Sequence, residues 1–259
     1  MAFASLTLLP SIRLTALISL TALSSASQCP QSFNAIFADM HDGDQKEVTV
    51  DGAALEIKPH GNNQTWRVTA ALAESCTALI DFNVPGKPNP PPVKLLMTLW
   101  WAAANSEKGA LEKVTFEFSD PSSSLAPAMV PLNAWVQLGG SPSKAPPCPE
   151  FSDAIYADIH DGDKKAVEIK DSKVRITSTK KSQTWVVKAD LNDFCGAMVN
   201  FNVPGKPSPP PVPLFARIWR LTRQGCTKNS VEFTDPSGKL AKPGFPLGSW
   251  LQLNASPTA

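Results

Sequence analysis

The chain has 259 residues, of which 18% are charged, and a formal net charge of +1. That balance excludes a whole-chain polycation of the kind that coats nucleic acid. An apolar share of 42%, with 25 prolines and 14 glycines, suits packed cores and is too hydrophobic for a disordered chain.

The N-terminus reads as an address. Arg13 precedes the apolar run Leu14 to Leu23, and the small-residue string Ser24-Ser25-Ala26-Ser27 follows. A positive n-region, a short apolar stretch and a small-residue cleavage site make a secretory signal over residues 1–27. This ten-residue run is too short to cross ~30 Å of hydrocarbon as a helix, and no later apolar stretch approaches ~20 residues. The expected product is secreted, without a membrane span.

The mature sequence repeats itself. Cys29 to Trp100 aligns without a gap to Cys148 to Trp219 at an offset of 119, and after a four-residue deletion Trp135 meets Trp250 at an offset of 115. The shared strings include Ala38-Asp39-x-His41-Asp42-Gly43-Asp44 and Phe82-Asn83-Val84-Pro85-Gly86-Lys87-Pro88. Each unit has the commonest size of a single domain rather than of a solenoid repeat. The expected organisation is repeat 1 at 28–138, a Gly/Ser/Pro linker at 139–147 and repeat 2 at 148–259.

Taken in order, Val48/Val50, Leu55/Ile57, Trp66/Val68/Ala70, Ile80/Phe82, Val93/Leu95/Met97/Leu99, Phe116/Phe118 and Val136/Leu138 alternate with period two. The second copy keeps the phase, and Asp42-Gly43, Asp51-Gly52 and Pro85-Gly86 punctuate the runs. No segment carries a capped 3.6-residue period. The expected fold is all-β: two tandem homologous antiparallel β-sandwich domains, Ig-like or jelly-roll-like. One disulfide is expected in each, Cys29 with Cys76 and Cys148 with Cys195, because duplication favours the same bond in both copies. Cys226 has no counterpart, so it is either free or linked to another chain. Repeat-to-repeat docking is a further possibility: residues 29–138 carry 7 basic and 12 acidic side chains, while 148–253 carry 15 and 11. The basic surplus of the second half also suits acidic polysaccharides.

Four groups of residues attract attention. Asp39, Asp42 and Asp44 recur as Asp158, Asp161 and Asp163, an oxygen set that could hold Ca²⁺, although the calcium-loop signature is absent and a plain hairpin turn, the preferred reading, also explains Asp-Gly. Lys87 and Lys206 lie in repeated Pro-Gly-Lys-Pro strings, which would present a pre-organised extended arm to a partner. Trp100, Trp135, Trp219 and Trp250 fall on the strand phase opposite the expected core, where an indole could stack on a sugar; covering by a terminal loop or by the other domain, or a bulge, would remove them from solvent. Asn63 and Asn254 begin glycosylation sequons.

No hydrolase, phosphate-loop or dinucleotide motif occurs, so no catalytic residue is assigned. The function expected from the sequence is a secreted bivalent protein that recognises carbohydrate or surface glycan. The alternatives are an inhibitor or extracellular structural protein using the Pro-rich loops, and a hydrolase.

Overall fold

The structure is a computed structural model. It describes residues 29–41, 43–61, 63–81, 94–103, 111–125, 127, 130–139, 148–149, 151–159, 162–180, 186–200, 213–242 and 245–257. Every regular element among them is a β-strand. Repeat 1 contains β1 (Ser32–Asp39), β2 (Gln45–Asp51), β3 (Ala54–Pro59), β4 (Val68–Ala71), β5 (Thr77–Asp81), β6 (Lys94–Ala103), β7 (Leu111–Ser119) and β8 (Asn133–Gln137). Repeat 2 contains β9 (Phe151–Asp158), β10 (Lys164–Lys170), β11 (Lys173–Ser178), β12 (Val186–Asp190), β13 (Gly196–Asn200), β14 (Pro213–Arg223), β15 (Cys226–Thr234), β16 (Pro246–Gln252) and the short β17 (Ser256–Pro257).

Short turns set most of the topology, since a strand that reverses within a few residues readily pairs with its neighbour; β4 and β5, five residues apart, are an exception. β1 to β4 pair in succession, β5 to β8 do likewise, and β1 closes on β8. β9 to β16 reproduce this ladder, with β9 closing on β16. All pairings are antiparallel. The result is a curled up-and-down meander whose seam lies between β4 and β5, and between β12 and β13. Among the described residues the pairings join consecutive strands on either side of each seam, together with β1 to β8 and β9 to β16, and they do not include the Greek-key crossing of an Ig-like or jelly-roll sandwich.

One face of each curl is the core. Phe37, Val48, Val50, Leu55, Ile57, Ile80, Met97, Leu99, Phe116, Phe118 and Trp135 pack together in repeat 1. Tyr156, Val167, Ile169, Val174, Ile176, Val199, Ile218, Val231, Phe233 and Trp250 do so in repeat 2. Trp66 belongs to the first core, as its phase predicted, and its Nε1 donates to Gln64 Oε1 at 2.7 Å. Both disulfides form as expected, with Cα atoms 5.5 and 5.2 Å apart. Each ties the segment before the first strand to the turn that ends at the seam, where Ala73 N donates to Thr77 O and Asn192 N to Gly196 O, both at 2.8 Å.

Candidate functional site

The repeated Asp loop is a hairpin connection tied to a tryptophan. Gly43 N donates to Asp39 O at 2.8 Å, and Gly162 N to Asp158 O at 2.8 Å. Both glycines take the left-handed conformation, with φ of 75° and 70°. Four residues, rather than the expected two-residue turn, separate Asp39 from Asp44. Asp39 Oδ1 accepts from His41 N and Asn133 Nδ2, and its Oδ2 accepts from Trp135 Nε1 at 2.9 Å. Asp158 Oδ2 accepts from Trp250 Nε1 at 3.0 Å in the same way. Asp44 faces Lys46, and Asp163 faces Lys165 and Lys180. These carboxylates are therefore engaged with donors and cations of the chain itself, and no group of three metal-ligating side chains assembles among the described residues. Asp42 and Asp161 lie outside the described residues.

Trp135 and Trp250 consequently point inward. Trp135 lies opposite Phe116 in the β7–β8 ladder and its ring centroid is 4.5 Å from that of Phe118; Trp250 stands 4.5 Å from Phe233. Their expected outward phase is corrected by the last strand being buried on both faces. Val136 is fully buried while facing away from the tryptophan side, and Leu251 joins Ala134, Ile159 and Met40 in an apolar cluster spanning the two repeats. A strand buried on both faces carries no phase signal in its apolar residues.

Trp100 and Trp219 do leave their own cores, as their phase predicted, but they do not meet solvent. They are 4% and 2% exposed and pack with Ala102 and Leu221, with Cys226 beside them. The other repeat covers each ring. Lys228 Nζ stands 4.6 Å from the Trp100 centroid, and Lys113 Nζ 5.3 Å from that of Trp219. These two lysines also form buried ion pairs across the junction: Lys113 with Glu232 at 2.9 Å, and Lys228 with Glu117. Burial pushes the Lys228 ammonium below its ordinary value, and the Glu117 charge opposes that shift. Backbone contact completes the junction, with β6 and β14 pairing at Trp101 and Thr222, and Thr222 Oγ1 donating to Trp101 O at 3.2 Å. A ring enclosed in this way offers no face to a sugar, so the stacking-platform expectation gives way to a role in holding the repeats together.

Docking of the repeats was one reading of their opposite net charges. The ion pairs at the junction instead take one Lys and one Glu from each side, and Arg223 of repeat 2 adds a cation 4.9 Å from the Trp100 centroid. Lys113 and Glu117 recur as Lys228 and Glu232, and within each repeat the two keep one strand phase.

The remaining expected residues are dispersed. Asn63 and Asn254 are exposed. Cys226 is free and half-buried at the start of β15. Lys87 and Lys206 lie outside the described residues. Asp120 and Asp235 cap repeated turns. Asp235 accepts from Ser237 N, Ser237 Oγ and Leu240 N at 2.6–2.8 Å, and the Ser237 hydroxyl above all holds its carboxyl down at about 2.

An open recess of about 500 Å³ lies on the outer face of β10, β11 and β12, where Glu168, Lys170, Asp171, Lys173, Arg175, Lys188 and Asp190 surround Val174 and Ala189. The register sets Lys170 directly opposite Lys173, and Arg175 directly opposite Lys188. Cross-strand pairs of like charge are destabilising. The Asp171-Ser172 turn, with φ of 51° and 57°, holds β10 and β11 in this register. Arg175 Nη1 reaches Glu168 Oε2 at 3.5 Å, which leaves Lys170, Lys173 and Lys188 without an ion pair among the described residues. The corresponding positions of repeat 1 are Asp51, Ala54, Glu56 and Thr69, so the basic lining is particular to repeat 2. The sequence showed the basic surplus of this half but not which lysines converge, because that depends on cross-strand register.

No helix among the described residues is long and apolar enough to cross a membrane. No protein family, curated protein or solved structure matches the chain, so a functional reading must be built from these residues themselves.

Proposed function

We propose that the protein is a secreted, non-catalytic binding protein that recognises acidic carbohydrate, with the recess of repeat 2 as its principal contact. The observation that carries this reading is the pair of like-charge cross-strand contacts, Lys170 with Lys173 and Arg175 with Lys188. A sulfate or uronate placed between them would relieve the repulsion, while Glu168, Asp171 and Asp190 accept hydrogen bonds from sugar hydroxyls. The leader-like N-terminus and the two disulfides support export, since such bonds persist in oxidising compartments. Bivalence on this reading joins unlike surfaces, because repeat 1 lacks the basic residues. The shared cations Lys87 and Lys206 of the Pro-rich strings are the second contact that it assigns. The test is binding of the mature chain to sulfated, uronic and neutral oligosaccharides, with and without Ca²⁺. Binding to the acidic chains in both conditions is expected. Equal binding to neutral chains, or none to acidic ones, would overturn the reading.

A further inference from the structure

The junction between the repeats is built from the same positions on both sides. At the offset of 115, Lys113 corresponds to Lys228 and Glu117 to Glu232. The two cross-repeat ion pairs, Lys113–Glu232 and Lys228–Glu117, are therefore images of one another. The cation–π contacts are reciprocal too: Lys113 lies over Trp219, and Lys228 over Trp100. Gln137 Oε1 accepts from Val114 N at 2.8 Å, and its counterpart Gln252 Oε1 from Asn229 N at 2.8 Å. Strand pairing obeys the same symmetry. With Thr222 opposite Trp101, one further antiparallel step sets Leu221 against Ala102, which are the same position in the two repeats. A face that meets its own equivalent position by position is isologous, the geometry by which two copies of one protein dimerise.

We infer that this face binds a second copy of the chain, so that two molecules exchange repeats and form a closed dimer. Each repeat carries both the lysine and the glutamate of the pair, so the charges make repeat 1 complementary to any repeat bearing the same two residues. Volume adds selectivity. The small Ala102 meets the large Leu221, which favours joining repeat 1 to repeat 2, within one chain or between two. The exchanged dimer contains the same contacts as the monomer, twice over, so chain concentration and the entropy of closure decide between them.

The charges can be rewired to test this in the full mature chain. In the double variant Lys113→Glu with Glu117→Lys, like charges meet across the chain's own junction. Two copies can still satisfy every charge by pairing repeat 1 with repeat 1, and repeat 2 with repeat 2, where the regained buried ion pairs outweigh the lost Ala102–Leu221 fit. This variant is expected to elute with the mass of two chains in size-exclusion chromatography with light scattering. The quadruple variant that adds Lys228→Glu and Glu232→Lys restores the internal match and is expected to return to the mass of one. A double variant that remains a monomer with the wild-type radius, or a quadruple variant as dimeric as the double, would overturn the inference. Refolding the wild-type chain at rising concentration decides the matter if the double variant does not fold. A dimer fraction that grows with concentration is expected, and monomer alone up to the highest soluble concentration would refute it.

Discussion

Removing one ion of the junction should cost far more than removing a surface charge. Lys113 Nζ is 2.9 Å from Glu232 and 2.7 Å from the Gln137 carbonyl, and the Lys113 and Glu232 side chains are 4% and 8% exposed. Lys113→Met leaves the Glu232 carboxylate buried without its cation, a loss that runs to ~3–5 kcal/mol for buried pairs. An exposed pair would lose only ~0–1 kcal/mol. Adding Glu232→Leu removes the orphaned charge, so the double variant should recover at least ~2 kcal/mol. What remains is mainly the Gln137 carbonyl without its donor, worth ~1 kcal/mol. Urea unfolding followed by both tryptophan fluorescence and circular dichroism measures this, and coincident transitions show that the repeats unfold together. A single-variant loss below ~1 kcal/mol, or a double variant worse than the single, would refute the buried junction.

Trp100→Ala and Trp219→Ala should each destabilise by ~3–5 kcal/mol in the same assay, the range for a large buried side chain; a loss under ~1 kcal/mol would return these rings to solvent. Replacing Cys148 and Cys195 by Ser opens a 47-residue separation, which the chain-entropy relation places at ~4 kcal/mol, read as a lower urea midpoint. The acid limb reports on Asp235. Its carboxyl is held at about 2 against an ordinary 3.8, so between those values the unfolded chain binds a proton that the folded chain does not. Stability is present above pH ~4 and falls towards pH ~2, and Asp235→Asn should flatten that slope in a pH series of urea midpoints.

Much of the fold was legible because it rests on period and punctuation. Met97, Leu99 and Phe116 alternate cleanly, Asp-Gly marks reversals, and the duplication imposes one disulfide scheme twice. Strand order was not legible, since alternation tells which face is buried and says nothing about which strand lies beside it. The tryptophans show the second limit. Trp100 and Trp219 were placed on the outer face correctly, but an outer face of one repeat is an inner face of the pair. Beside Trp135, Ala134 packs with Ile159 and Leu251 of the other repeat and Val136 is fully buried as well, which inverted the phase assigned to that strand. Asp39 was visible as a shared carboxylate, whereas its partner Trp135 stands 96 residues away. The recess was hidden for a related reason: Lys170 and Lys173 are close in sequence, but Lys188 joins them only through the β11–β12 register.

The central functional claim rests on the lysines of β10 to β12, and elution from a sulfated-polysaccharide column tests it most directly. The variant Lys170→Gln with Lys173→Gln and Lys188→Gln changes exposed side chains and, by relieving the like-charge contacts, should match or slightly exceed the wild-type urea midpoint. It should nevertheless elute at distinctly lower salt, because fewer cations meet the anionic chain. A control, Lys239→Gln with Lys242→Gln, removes surface charge outside the recess and should elute close to the wild type. Elution of the recess variant at the wild-type salt concentration, or an equal shift in the control, would contradict the account.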